Sequence, residues 1–138
     1  MASRLNPYLS FDGNAREAMK FYADVLGGTL SVDTWGDYLG SHSTDAARVG
    51  HAVLESPAGY TLMAGDVTSD TDYQPISGMA VSISGDDPAL LMGYWARLST
   101  DGSIVMPLER RPWGDDFGMC VDRFGVSWMI NISRPEPA

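Results

Sequence analysis

Apolar residues recur along the chain at two periods. Within residues 14–26, Ala18, Met19, Tyr22, Val25 and Leu26 stand at helical spacing, which gathers them on one face of a helix. Asn14, with Glu17 three residues on, reads as a capping-box start, and Gly27-Gly28 as the stop. A second helix is predicted over 87–99. Asp87 takes its N-cap and Pro88 its first position; Leu90, Leu91, Tyr94, Trp95 and Leu98 form its stripe, and Asp101-Gly102 ends it. Elsewhere, short runs predict strands over 6–11, 29–35, 50–55, 60–64, 79–84, 103–107, 117–121 and 126–132. Pro57-Ala58-Gly59, Gly85-Asp86-Asp87 and Arg123-Phe124-Gly125 supply turns between them.

The predicted order is strand, helix, three strands, and then the same again. A duplicated unit places like residues at like stations. Residues 14–26 overlay 87–99, Gly27-Gly28-Thr29-Leu30 overlays Asp101-Gly102-Ser103-Ile104, and Gly59-Tyr60-Thr61-Leu62-Met63 overlays Gly125-Val126-Ser127-Trp128-Met129. The expectation is one α+β domain over residues 1–138, built from two βαβββ modules at about 5–65 and about 76–133. The first module is longer between its second and third strands, where residues 36–45 read as an exposed loop rich in turn formers, and a second loop, 66–75, joins the modules.

Composition narrows the function classes. A chain of 138 residues is long enough for one core without staples. Cys120 is the only cysteine, so no intrachain disulfide forms, and one cysteine with two histidines cannot build a four-ligand structural zinc site. Both points suit a reducing compartment. The first residues lack the apolar run of a signal peptide, and no stretch approaches the ~20 apolar residues that span a bilayer, so a soluble cytoplasmic protein is expected. A net charge of -9 repels phosphate backbones and anionic membranes, and the nine Lys and Arg are scattered apart from Arg110-Arg111. Neither nucleic acid nor membrane is an expected partner. The acidity is read first as solubility, although it also suits a cationic ligand.

Four stretches carry a resemblance: Asn6-Pro7-Tyr8-Leu9-Ser10-Phe11, Gly13-Asn14-Ala15, Phe21-Tyr22 leading to Leu26-Gly27, and Asp122-Arg123-Phe124-Gly125-Val126-Ser127-Trp128-Met129-Ile130-Asn131. Together they resemble the PhnB-like proteins of the vicinal oxygen chelate (glyoxalase/bleomycin resistance/dihydroxybiphenyl dioxygenase) superfamily, over nearly the whole chain. The resemblance implies curled mixed sheets around a cup-shaped cavity, usually completed as a homodimer. It also implies, for active members, a divalent metal held by His, Glu or Gln on the first and last strands of each module. By the repeat overlay those stations fall near Pro7-Tyr8 and Met79, and at Met63 and Met129, where no usual hard-metal ligand stands. A slip of one residue brings in Leu62, Ala64, Gly78, Ala80, Trp128 or Ile130 and changes nothing. No metal and no cofactor are therefore expected. Some relatives carry a methyltransferase label for a ubiquinone precursor. A methyl donor with an adenosine moiety usually needs a glycine-rich turn between strand and helix, whereas Gly27-Gly28 follows a helix.

Single residues sharpen the expectation. His51 shares a strand face with Val53 and Glu55, but Glu55 lies too far along to orient it, so it reads first as a structural or rim histidine. His42 falls in the long loop and reads as solvated, and Cys120 as a small buried hydrophobe. Trp95 and Trp128 read as core, the latter also as a candidate interface residue. Trp35 and Trp113 end strands beside glycine and carboxylates, which fits either a cradle for a planar or cationic ligand or an aromatic dimer contact. Met63, Met79 and Met129 fit either a deformable cup wall or plain core filling, and Asn131 offers one amide on the face of Met129. Glu109-Arg110-Arg111-Pro112 reads most simply as a solvated strand end, with an arginine there as the alternative partner for an anionic ligand.

The leading expectation is a homodimer that holds a small amphipathic or aromatic molecule at Tyr8, Trp35, His51, Met63, Met79, Trp113, Met129 and Asn131, by sequestration and without cofactor. A second reading is a divalent-metal lyase, isomerase or dioxygenase with ligands displaced to His51, Glu55 or Glu109. A third is a regulatory or structural dimer whose cup is filled by its own side chains. The residues do not say whether any reaction is catalysed.

Overall fold

A computed structural model describes residues 3–134. The first βαβββ module runs β1 (Tyr8–Phe11), α1 (Ala15–Leu26), β2 (Thr29–Thr34), a short α2 (Trp35–Leu39), β3 (Val49–Glu55) and β4 (Thr61–Asp66). The second runs β5 (Val81–Gly85), α3 (Pro88–Ser99), β6 (Ser103–Arg110), β7 (Asp116–Val121) and β8 (Ser127–Ile132). The chain divides into two compact units after Ile76, one per module. Each carries its own four-stranded mixed sheet, ordered β1-β4-β3-β2 and β5-β8-β7-β6. In both, the first strand pairs in parallel with the last and the remaining pairs are antiparallel.

The alternation of the strands gives each sheet a closed and an open face. In the first unit α1 buries Ala15, Ala18, Met19, Tyr22, Val25 and Leu26 and packs on β2, β3 and β4. Leu9, Phe11, Ala52, Leu54, Leu62 and Ala64 are buried, while their neighbours Tyr8, Ser10, His51, Val53 and Met63 stay half-buried or exposed. In the second unit α3 packs on β5, β6, β7 and β8 with Leu91, Tyr94 and Leu98 buried. Ile83, Cys120, Trp128, Ile130 and Ile132 are buried there, and Phe117, Met119, Met129 and Asn131 remain half-buried.

The duplication, weak in letters, is strong in geometry. A Cβ on Gly28 would lie 2.0 Å from the Glu55 carbonyl oxygen, and one on Gly102 would lie 2.1 Å from that of Val121. The β3–β4 turn closes through Ser56 N–Tyr60 O at 3.0 Å and Gly59 N–Ser56 O at 3.0 Å, and the β7–β8 turn through Asp122 N–Val126 O at 2.9 Å and Gly125 N–Asp122 O at 3.0 Å. Even the bracing side chain recurs: Ser56 Oγ accepts from Tyr60 N at 3.1 Å, and Asp122 Oδ1 from Val126 N at 3.1 Å.

Several local expectations are corrected by longer-range contacts. Asn14 makes no side-chain cap bond. Asp66, 4% exposed at the end of β4, takes over: its Oδ1 accepts from Gly13 N at 2.8 Å and Ala15 N at 3.0 Å, and its Oδ2 from Val49 N at 2.9 Å. A buried carboxylate forms stronger, charge-assisted bonds than an asparagine amide, which decides the contest. The expected loop at 36–45 opens instead as α2. A capping box starts it: Thr34 Oγ1 accepts from Asp37 N at 3.2 Å, and Asp37 Oδ2 from Thr34 N at 2.8 Å. In α3 the predicted Asp87 cap holds, accepting from Leu90 N at 3.2 Å, but Leu90 is 43% exposed. Trp95 is only half-buried; its indole lies over Gly118, whose Cβ would meet Cη2 at 2.8 Å. The first strand of the second unit begins at Val81, two residues later than expected. No helix among the described residues is long and apolar enough to cross a membrane.

Candidate functional site

On the open face of the first sheet, strand register sets out a grid. Tyr8 pairs with Met63 and Ser10 with Gly65 between β1 and β4, Val53 pairs with Met63 between β3 and β4, and His51 pairs with Asp33 on β2. Gly65 leaves a gap: a Cβ there would lie 2.7 Å from Tyr8 Oη and 3.0 Å from the Gly50 carbonyl oxygen. Tyr8 therefore leans across β4 toward β3. Its Oη stops 3.3 Å from His51 Nδ1, and the two rings stack at 5.7 Å with a 15° interplanar angle. Burial pushes the Tyr8 phenol pKa up, further from neutral pH. Beyond His51, Tyr38 donates to Asp33 Oδ2 at 3.1 Å.

Where β4 ends and β3 begins, a pocket of about 290 Å³ opens, lined by Tyr8, Ser10, Trp35, Gly50, Gly65, Asp66, Val67, Thr68 and Thr71. Trp35 forms one wall. Its Nε1 donates to the Asp66 carbonyl oxygen at 2.8 Å, and the Tyr38 ring meets it edge-on at 6.0 Å. No Lys or Arg lines the pocket. Arg48, near its rim, is engaged with Asp12 at 2.8 Å, Asp45 at 3.7 Å and the Val67 carbonyl oxygen at 3.0 Å. The one carboxylate in the lining, Asp66, is occupied by three backbone N–H groups.

The eight residues singled out in the sequence fall into two sets. Tyr8, Trp35, His51 and Met63 belong to the first unit; Met79, Trp113, Met129 and Asn131 belong to the second. Tyr8 and Trp35 share the pocket, His51 touches Tyr8, and Met63 sits beside Tyr8 in register. Trp35 does not end a strand as expected but begins α2. In the second unit Met129 faces Met119 and Ser82 in register, and Asn131 Nδ2 donates to Asp115 Oδ2 at 3.0 Å. Trp113 lies in the turn between β6 and β7, 60% exposed, with its ring edge toward Phe117 at 5.8 Å. Met79 lies ahead of β5 and is 51% exposed. Ser10, Thr68 and Thr71 were missed because nothing in their spacing marks them. Gly65 carried a signal, since glycine inside a strand marks a close approach.

The residues at the stations that the resemblance marks for metal can now be placed. Tyr8 pairs with Met63 and Ser82 with Met129, so Ser82, not Met79, stands in the second unit where Tyr8 stands in the first. Neither the phenol and thioether of the first unit nor the alcohol and thioether of the second is a donor pair suited to a hard divalent cation. Nor are the displaced ligands gathered. Glu55 reaches Arg4 at 3.4 Å, Glu109 pairs with Arg111 at 3.3 Å in the second unit, and no group of three His, Cys, Asp or Glu able to hold a metal occurs among the described residues.

Two other candidates resolve as structure. Cys120 is buried, and burial with the nearby Asp122 charge pushes its thiol pKa up to about 11, the reverse of an activated nucleophile. Arg111 is not solvated, as the sequence suggested, but has a side chain 15% exposed that donates to the carbonyl oxygens of Phe117 and Pro107. It braces the β6–β7 connection.

Comparison with known proteins agrees with this architecture. A family model described as Glyoxalase/Bleomycin resistance protein/Dioxygenase superfamily matches residues 4–130. The protein YjdN of Escherichia coli is 26% identical over 144 residues, covering 96% of this chain and 97% of that protein. Among solved structures, protein PA1353 from Pseudomonas aeruginosa superposes with a TM-score of 0.86 at 36% identity, covering 97% of this chain and 100% of that one. A Bacillus cereus PhnB protein, described as a putative 3-demethylubiquinone-9 3-methyltransferase, shares the fold with a TM-score of 0.77 at 24% identity over 95% of this chain and 100% of its own.

Proposed function

The chain belongs to the Glyoxalase/Bleomycin resistance protein/Dioxygenase superfamily, and from that premise we propose that it binds a small aromatic or amphipathic molecule without a conventional metal site. The observation that carries this reading is the pocket of about 290 Å³ walled by Tyr8 and Trp35, with Ser10, Thr68 and Thr71 also in its lining. Mixed aromatic and hydroxyl walls suit an organic ligand with a flat apolar body and a few polar atoms. His51 and Met63 extend the proposed ligand-facing set within the first unit, and Met79, Trp113, Met129 and Asn131 are proposed, on the resemblance, as ligand-facing residues of the second unit. The protein acts by holding its ligand, as a homodimer in the cytoplasm.

Native mass spectrometry of untagged protein, paired with elemental analysis, tests the proposal. A retained organic molecule on a dimer, with no stoichiometric metal, is the expected result. About one divalent metal per chain that survives dialysis, with no organic adduct, would overturn it.

A further inference from the structure

We infer that the Tyr8–His51 pair is a binding site for the hydroxyl group of a neutral hydroxyaromatic ligand. The inference rests on the proposed function and names the chemistry its pocket selects. Tyr8 belongs to the pocket wall, and its hydroxyl is held over Gly65 by contact with His51 Nδ1 at 3.3 Å. A tyrosine hydroxyl has one proton and two lone pairs. With its proton directed to Nδ1, its lone pairs accept the ligand O–H; with Nδ1 protonated and donating, the Tyr8 proton turns to the ligand oxygen. A ligand hydroxyl, being both donor and acceptor, satisfies either arrangement, whereas an ether or carbonyl satisfies one.

Charge selects against the ionised alternatives. A carboxylate or phosphate would enter a pocket with no Lys or Arg in its lining, on a chain of net charge -9, while Arg48, which donates to the carbonyl oxygen of the lining residue Val67, is already paired with two aspartates. Leaving an anion unpaired there is costly. The aromatic part follows from the walls: the Trp35 indole is fixed by its bond to the Asp66 carbonyl oxygen at 2.8 Å, and Tyr8 is held by stacking on His51. Both present rigid ring surface at little cost in conformational entropy.

The test uses the full chain and two probes of nearly the same shape, 2-naphthol and naphthalene, in equilibrium dialysis at pH 7. The expected result is that 2-naphthol binds about tenfold tighter than naphthalene, the effect of one well-made hydrogen bond. Tyr8→Phe, which keeps the ring and removes the hydroxyl, should reduce that ratio to about one, and His51→Phe, which keeps the stack but no longer orients the Tyr8 proton, should reduce it part of the way. A tenfold ratio that persists in Tyr8→Phe overturns the inference and leaves the proposed function standing. Failure of both probes to bind the wild-type chain removes the aromatic-ligand reading itself, and this inference with it. Tyr8→Phe alone is decisive should His51→Phe fold poorly.

Discussion

Helices α1 and α3 occupy the same station in two copies of one unit, yet they are started in different ways. Asp87 caps α3 from the residue next to it. The start of α1 is held by Asp66, more than fifty positions away in sequence, which also ties down the beginning of β3 and, through its carbonyl oxygen, Trp35. In the second unit the position equivalent to Asp66, three residues past the equivalent methionine, is Ile132, which is fully buried. What the two units share is backbone closure at Gly28 and Gly102 and at the β3–β4 and β7–β8 turns. What separates them is the end of the last strand, and in the first unit the pocket opens at that end. A duplicated scaffold thus keeps the contacts that close its backbone and varies those that shape its open end.

The largest expected effect probes what the units share. Gly28→Ala and Gly102→Ala should each cost more than about 3 kcal/mol, because the new methyl meets a backbone carbonyl that cannot move aside. Gly28 should be the worse of the two, since its φ of +107° adds backbone strain. Urea unfolding followed by circular dichroism measures both, and a near-neutral result at either position would break the equivalence. The next effect probes the difference. Asp66→Ala orphans three buried or half-buried N–H groups and should cost about 3 kcal/mol, whereas Asp87→Ala removes one exposed cap bond, at about 1 kcal/mol. Equal losses in the same unfolding experiment would mean that Asp66 is no more than an ordinary cap.

The smallest effect is one of pH, and it contrasts two buried carboxylates. Asp66 is held by N–H groups, Asp116 by the guanidiniums of Arg134 and Arg110. Those hydrogen bonds hold the Asp116 carboxyl below the usual carboxylate range. A depressed folded pKa contributes stability that is present above the unfolded pKa and is lost as pH falls through the folded one. Thermal midpoints measured from about pH 6 down to about pH 2 should therefore fall more steeply in the wild type than in Asp116→Asn. Parallel curves would show that the pairing contributes nothing measurable.

Local chemistry made much of the fold legible. The helices at 15–26 and 88–99, the turn glycines and the succession of elements along the chain all rest on residues within a few positions of one another, and the structure has them nearly where the pattern put them. Short-range signals failed where a distant group displaced a near one, as Asp66 did Asn14, and where packing set exposure, as at Leu90 and Trp95. The site was less legible. Tyr8 and His51 both drew notice, but as separate residues, because their contact exists only once β1 lies parallel to β4 and Gly65 leaves room for a ring to cross. The move from Met79 to Ser82 has the same origin: the pairing of β5 with β8 is fixed by side chains almost fifty residues apart. The sequence by itself determined the elements, their order and their duplication, since each follows from backbone preferences and periodicity along a short stretch. Strand register, the pocket and the Tyr8–His51 contact were decided only in three dimensions, because a slip of one residue in pairing exchanges the two faces of a strand and with them every side chain that a ligand would meet.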